Sequence, residues 1–119
     1  EEGIPLEYEQ DGIYFMQLVK GNGRMPVKGE RITIHYEGRF LNGKFIESTK
    51  KRDQPLDFIF GSEMVVIEGI ERAVERMTEG EKALVIIPSD LAFGSSGAAN
   101  GLIPPFTSLI YEVELVKVE

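Results

Sequence analysis

The chain has 119 residues, which is enough for one compact domain and too few for two ordinary ones. Its 42% hydrophobic and 28% charged residues are typical of a globular protein, and its formal net charge of −7 argues against binding to nucleic-acid phosphates or to an anionic membrane surface. Cysteine is absent, so disulfides and thiol nucleophiles are excluded.

The sequence contains neither a recognisable signal peptide nor an apolar run long enough to span a membrane. Because it opens Glu1-Glu2-Gly3 without a methionine, we expect a mature product or an excised domain that has lost any targeting segment. The compartment stays open between a bacterial cell envelope or periplasm and a cytoplasm, since the absence of cysteine is compatible with both.

The chain is expected to begin with an extended lead-in over 1–10, which has few apolar positions, so that the domain proper spans 11–119. Residues 13–19 are rich in β-favouring side chains and end at the turn signal Gly21-Asn22-Gly23. This pattern predicts the first strand.

The next segments predict further strands. Residues 31–36 alternate and put Tyr36 on an apolar face, and Asn42-Gly43 between short apolar runs predicts a hairpin. A polar stretch over 48–54 is predicted to be a loop that interrupts one strand, whose pattern resumes over 56–60.

One helix is predicted between about Val66 and Glu79, where Ile70, Val74 and Met77 recur at helical spacing. Gly80 suits the position just beyond its C-terminus, because glycine adopts the left-handed conformation easily.

Two more strands are predicted over 82–87 and 109–118, on either side of a long loop over 90–105 that contains three glycines and two prolines. The sum is an antiparallel sheet of about five strands with one helix packed across it, an α+β arrangement.

Reactive groups are sparse in the sequence. His35 is the single histidine, so a histidine metal cluster is excluded. Glu112 and Glu114 share a strand face and could suit metal or acid–base work, but a solvated face is the simpler interpretation. The glycine- and serine-rich segment 94–101 lacks the Gly-Lys-Ser/Thr ending of a phosphate-binding loop. We therefore expect no metal and no cofactor.

Apolar side chains in the long loop stand out instead. Phe93, Leu102, Ile103 and Phe106 occur in a segment rich in glycine and proline, where exposure to water is the usual state. They indicate either a loop folded over the core or one wall of a ligand pocket.

Six short strings in order carry a family resemblance. They are His35-Tyr36-Glu37-Gly38, Asn42-Gly43-Lys44, Val66-Ile67-Glu68-Gly69, Leu91-Ala92-Phe93-Gly94, Leu102-Ile103-Pro104-Pro105 and Leu109-Ile110-Tyr111-Glu112-Val113-Glu114-Leu115. Together they resemble the FKBP-type immunophilin prolyl isomerases over roughly Val19 to Glu119.

The resemblance implies a bent antiparallel sheet wrapped around one short helix, with an apolar pocket between them and the loop after Pro88 as its roof. It also implies that the Ile67 N–H holds a substrate carbonyl and that Glu47 pairs with Arg52 to brace the Tyr36 hydroxyl. The implied catalytic residues are Tyr36, Glu47, Phe58, Ile67, Phe93 and Tyr111. The implied substrate-binding residues are Ile46, Leu56, Val66, Ile70, Leu102 and Ile103.

Several positions depart from the family pattern. Glu47 stands where Asp is usual, Ile46 where an aromatic is usual, Ile70 where Trp is usual and Phe93 where Tyr is usual. An aliphatic floor leaves a larger pocket with less stacking surface, so we expect these changes to weaken macrolide binding more than catalysis.

The function implied by the resemblance is a monomeric peptidyl-prolyl cis–trans isomerase that assists protein folding by accelerating rotation of X-Pro bonds in a dry pocket. Its expected partners are proline-containing peptide or protein segments, with macrolides of the tacrolimus and rapamycin type bound weakly. The alternative is a chaperone-type binding module of the same fold with little turnover. A hydrolase built on Glu112 and Glu114 would need partner groups that the sequence does not supply.

Overall fold

The computed structural model describes residues 12–62, 65–98 and 101–119, so the lead-in expected over 1–10 lies outside the described residues. The strands are β1 (Tyr14–Val19), β2 (Arg31–Phe40), β3 (Phe45–Ser48), β4 (Leu56–Ile59), β5 (Lys82–Ile87) and β6 (Leu109–Val118). The helix α1 spans Glu68–Val74, and a 3-10 turn covers Ser89–Leu91. This is the predicted α+β arrangement.

The described strands form one antiparallel sheet in the order β1-β5-β6-β2-β3, with β4 also paired to β2. β3 and β4 pair with neighbouring parts of β2, where Ser48 faces Glu37 and Leu56 faces Ile34. The polar stretch between them is the interruption that the sequence predicted. The six observed strands therefore form the sheet that was predicted with about five, because the interrupted strand is present as β3 and β4.

The sheet bends around α1. The β2–β6 register shifts between Thr33 and Ile34, and the β2–β3 register shifts between Gly38 and Arg39. Such bulges bend a strand and increase its twist. The helix packs against β5 and β6 on the concave side.

The core lies between α1 and the inward faces of the strands. Alternate residues of β5 and β6 are buried, as a strand with one solvated face requires. Full burial of each such aliphatic side chain contributes about 1.5–3 kcal/mol. The buried core includes Ile32, Ile34, Ala83, Val85, Ile87, Leu109, Val113 and Leu115 from the strands, and Ile70, Ala73, Val74 and Met77 from the helical region.

The helix is shorter than predicted. It begins at Glu68 because Val66 lies in a bend, and it ends at Val74 because the next bonds, from Arg76 N to Ala73 O and from Met77 N to Val74 O, close tighter turns. Met77 nevertheless stays buried, so the predicted apolar stripe is correct beyond the helix itself. No helix in the described part of the chain is long and apolar enough to cross a bilayer.

Gly69 allows α1 to lie directly on β5. A Cβ atom at this position would be 2.3 Å from Cγ2 of Ile87 and within 2.9 Å of its other two outer carbons. No side chain fits there without displacement, so the glycine determines how closely helix and sheet approach.

Replacing Gly69 by alanine should therefore lower the free energy of unfolding by about 1–3 kcal/mol, although alanine favours helices over glycine by about 1 kcal/mol. Urea unfolding of four proteins tests this: wild type, Gly69→Ala, Ile87→Ala and the double variant. With Ile87 truncated, the alanine at 69 has room, and its destabilising effect should vanish or reverse. An equal loss in both backgrounds would contradict this packing.

Candidate active site

The β2–β6 pairing brings two tyrosines together. Tyr111 on β6 lies opposite Gly38 on β2, while Tyr36 occurs two residues earlier on the same strand. The two rings meet edge to face, with centroids 5.8 Å apart and an interplanar angle of 62°. A Cβ atom at Gly38 would be 2.6 Å from the Tyr111 ring, so only glycine lets the ring lie against the β2 backbone.

Glu47 joins this pair from β3, where it also lies opposite Gly38. The Tyr111 hydroxyl donates to Glu47 Oε2 at 3.1 Å, and Arg52 Nη1 lies 4.0 Å from Glu47 Oε1. The expected pairing of Glu47 with Arg52 is thus a long ion pair. Glu47 accepts a hydrogen bond from the Tyr111 hydroxyl, while the Tyr36 hydroxyl has its side-chain hydrogen bond with Arg52.

Both phenols are held in their neutral form. Burial, followed by the Glu47 charge and the hydrogen bond to Glu47, raises the pKa of Tyr111 far above its ordinary value of 10.0. Burial and then Glu47 also raise the pKa of Tyr36, while Arg52 acts in the opposite direction. Each phenol is therefore a hydrogen-bond donor near neutral pH and not a base.

Most of the remaining expected site residues belong to the hydrophobic core of the domain, here called the apolar cluster. Phe58 from β4, Ile70 from α1 and Ile103 from the long loop are buried in it together with Tyr111. Tyr36 is half-buried and packs against it. The other half-buried residues that pack against it include Ile46, Leu56, Val66, Ile67 and Phe93. Residues that are far apart in the chain thus share one hydrophobic core.

The long loop divides into a packed part and an exposed part. Phe93 and Ile103 contact the cluster, and a bridge between Ala98 and Ile103 holds this part of the loop in place. Leu102 is 58% exposed and Phe106 is 74% exposed. Leu102 is therefore the most exposed of the expected site residues, although the adjoining Ile103 is buried.

An open groove of about 1020 Å³ adjoins the cluster at Val66, Ile67 and Phe93. Its charged lining comes mainly from α1 and the residue after it, with Glu68, Glu71, Arg72 and Glu75, and its lining also includes Lys28, Gly61, Ser62 and Val65. No motif in the sequence marks a groove there. No group of three or more potential metal ligands exists among the described residues.

The raised pKa of Tyr111 makes stability depend on pH in the alkaline range. Unfolded Tyr111 ionises above its ordinary pKa of 10.0 whereas the folded residue keeps its proton, so the free energy of unfolding should fall as pH rises beyond that value. The loss attributable to Tyr111 is up to about 1.4 kcal/mol per pH unit.

Urea unfolding at about pH 8 and about pH 11 measures this contribution. The decrease should be smaller in Tyr111→Phe, because this variant cannot ionise in the unfolded state, while lysine ionisation affects both proteins alike. Equal decreases in the two proteins would rule out a raised Tyr111 pKa.

The family is shown by comparison with known proteins. Residues 22–116 match the family model described as FKBP-type peptidyl-prolyl cis-trans isomerase. The chain is 42% identical over 107 residues to an "FK506-binding protein" of Neisseria meningitidis serogroup B, covering 90% of this chain and 96% of that one. It is 37% identical over 109 residues to "Peptidyl-prolyl cis-trans isomerase FKBP1A" of Xenopus laevis, covering 91% and 99%.

A solved structure has the same fold. The crystal structure of a peptidyl-prolyl cis-trans isomerase from Pseudomonas syringae superposes with a TM-score of 0.81 at 37% identity, covering 96% of this chain and 80% of that one. The sheet and the short helix are thus those of a known group of enzymes, and the chain belongs to the FKBP-type peptidyl-prolyl cis–trans isomerases.

Proposed function

We propose that residues 11–119 form a monomeric isomerase domain that accelerates X-Pro rotation by removing the bond from water into the apolar cluster. The planar amide owes its barrier of about 18–20 kcal/mol to resonance, which also places negative charge on the carbonyl oxygen. Rotation removes this charge separation, so water stabilises the planar ground state more than the twisted transition state. A site that excludes water removes this preferential stabilisation of the ground state and thereby lowers the barrier to rotation.

The observation that carries this proposal is the meeting of Tyr36, Tyr111 and the apolar cluster around a single region, with both phenols neutral. X-Pro rotation makes and breaks no covalent bond, so a site without a base or nucleophile is sufficient. Each ~1.4 kcal/mol removed from the barrier increases the rate about tenfold.

The proposed roles follow from where the residues lie. The proline ring contacts an apolar set of side chains, and Phe93, Leu102 and Ile103 select the residue before proline from the loop. Glu47 positions Tyr111 through the 3.1 Å hydrogen bond. The residues proposed to contact the proline ring are Tyr36, Ile46, Leu56, Phe58, Val66, Ile67, Ile70 and Tyr111.

The backbone N–H of Ile67 is proposed to hold the substrate carbonyl. Ile67 precedes the first residue of α1, and within the described parts of the chain its N–H donates to no acceptor. An N–H at the start of a helix has no partner inside the helix, so it remains available to a ligand.

The proposed ligands are proline-containing protein segments and, more weakly, macrolides of the tacrolimus and rapamycin type. Ile70 supplies less surface for stacking than the Trp usual in the family, and Phe93 lacks a hydroxyl donor. Inhibition of isomerisation by such a macrolide measures this affinity, and a binding constant as tight as that of a relative with Trp would contradict the proposed weakness.

A chaperone-type binding module is the second candidate function, and the exposed Leu102 and Phe106 favour it. Apolar side chains at a loop tip can hold an unfolded segment without any turnover. A protease-free isomerisation assay on a proline peptide separates the two functions, because a binding module predicts peptide binding with an uncatalysed rate.

The substitution Ile67→Thr tests the apolar site with little risk to the fold. Ile67 is the N-cap of α1 and has no side-chain hydrogen bond, whereas threonine is a favourable N-cap residue. We expect kcat/KM to fall about tenfold or more, since a hydroxyl replaces an apolar contact, with the free energy of unfolding unchanged or higher.

The matched control is Val116→Thr, which makes a similar exchange at a residue of β6 that is 39% exposed and outside the cluster. This variant should retain the wild-type rate. Wild-type activity in Ile67→Thr would remove Ile67 from the proposed site, and an uncatalysed rate in the unmodified protein would remove the enzyme mechanism.

A further inference from the structure

The groove beside the apolar cluster changes in character along its length. At one end it is lined by Val66, Ile67 and Phe93, which the proposed function assigns to the proline and its neighbour. Further along α1 its wall consists of charged side chains. A peptide whose proline contacts Val66 and Ile67 therefore lies beside the charged side chains that line the same groove.

The charges along this path are not balanced. Glu68 accepts from Arg72 Nη2 at 2.7 Å, and Glu75 Oε2 lies 3.9 Å from the Nζ atom of Lys28, a side chain that is 69% exposed. Glu71, between these pairs, has no basic side chain within ion-pair distance in the described part of the chain. Among the described residues that line the groove there are thus three carboxylates and two cations.

Glu71 is also the carboxylate for which a cation would have the largest effect. Burial and then the neighbouring Glu75 carboxylate raise the pKa of Glu71, and the charge of Lys28 and the Gly61 backbone N–H compensate only in part. A cationic ligand would relieve the repulsion between the two carboxylates and replace part of the lost hydration. It would also be attracted by the net charge of −7.

The spacing indicates where in a peptide such a cation would lie. Glu71 follows Ile67 by four residues, which corresponds to about 6 Å along a helix. An extended peptide advances about 3.3–3.6 Å per residue, so the side chain that reaches Glu71 belongs about two residues from the one that contacts Ile67.

We propose that the groove makes this enzyme selective for proline segments that carry a lysine or arginine two to three residues from the proline, with Glu71 as the specificity-determining residue. This inference rests on the proposed function, because the apolar end of the groove must hold the proline. The interaction is a partly exposed ion pair, and its expected size is a preference of about threefold to fivefold.

Two proline peptides that differ only at one side chain test the preference. One carries lysine and the other N-acetyl-lysine, which keeps the stem and removes the charge, and the residue is placed two or three positions from the proline on either side. In a protease-free assay at low salt, wild-type kcat/KM should favour lysine about threefold to fivefold at one of these placements. The preference should shrink in about 0.5 M NaCl, because salt screens an exposed pair.

Glu71→Gln is the decisive variant and Glu112→Gln is its matched control. Both remove one negative charge, but Glu112 lies on β6 outside the groove, where its nearest ion-pair partner is Lys82 at 3.8 Å. The lysine preference should disappear in Glu71→Gln and persist in Glu112→Gln, and the control Glu112→Gln should process the N-acetyl-lysine peptide at the wild-type rate.

The outcomes separate this inference from the proposed function. Acceleration of the uncharged peptide without a lysine preference, or a preference that survives Glu71→Gln, would overturn the groove assignment alone. If neither peptide is accelerated, the isomerase mechanism fails. Fluorescence anisotropy then tests the groove assignment by comparing the Kd values of the same two peptides. Equal Kd values would overturn it, and tighter binding of the lysine peptide that Glu71→Gln abolishes would support it.

Discussion

The close contact between the Tyr111 ring and the backbone of Gly38 is the constraint on which the site depends. A Cβ atom at Gly38 would be only 2.6 Å from carbons of the Tyr111 ring. The pairing of β2 with β6 and the position of the phenol are therefore determined together. Glu47 faces the same glycine from the other side and accepts a hydrogen bond from the phenol hydroxyl. Three neighbouring strands thus converge on one residue that has no side chain.

The burial that positions Tyr111 also determines its chemistry. A phenol in a dry environment beside a carboxylate keeps its proton, so the two tyrosines contribute shape, apolar surface and hydrogen-bond donors. A reaction that involves only bond rotation needs no more. The role proposed for the charged groove is different, because ion pairs near water distinguish one segment from another without entering the dry site.

Predictions from the sequence were correct where local periodicity determines whether a residue is buried or exposed. The alternation in β2 and β6, the interruption between β3 and β4, and the buried stripe through Met77 were all predicted correctly. The predicted helix was too long, because the stripe of buried apolar residues continues past Val74 into tighter turns that end the α-helix. Leu102 is exposed whereas the adjoining Ile103 is buried, a difference that periodicity cannot predict because neighbours in an irregular loop point in unrelated directions.

What the sequence determined by itself was the pattern of buried and exposed positions, the family, and the identity of the residues that the family's motifs carry. Only the tertiary structure decided which hydroxyl Glu47 accepts from and where the groove runs. These outcomes depend on contacts between segments far apart in the chain, such as Tyr111 with Glu47 and Lys28 with Glu75. Periodicity records only whether a side chain faces the core, whereas sheet register and helix packing decide which side chain it meets there.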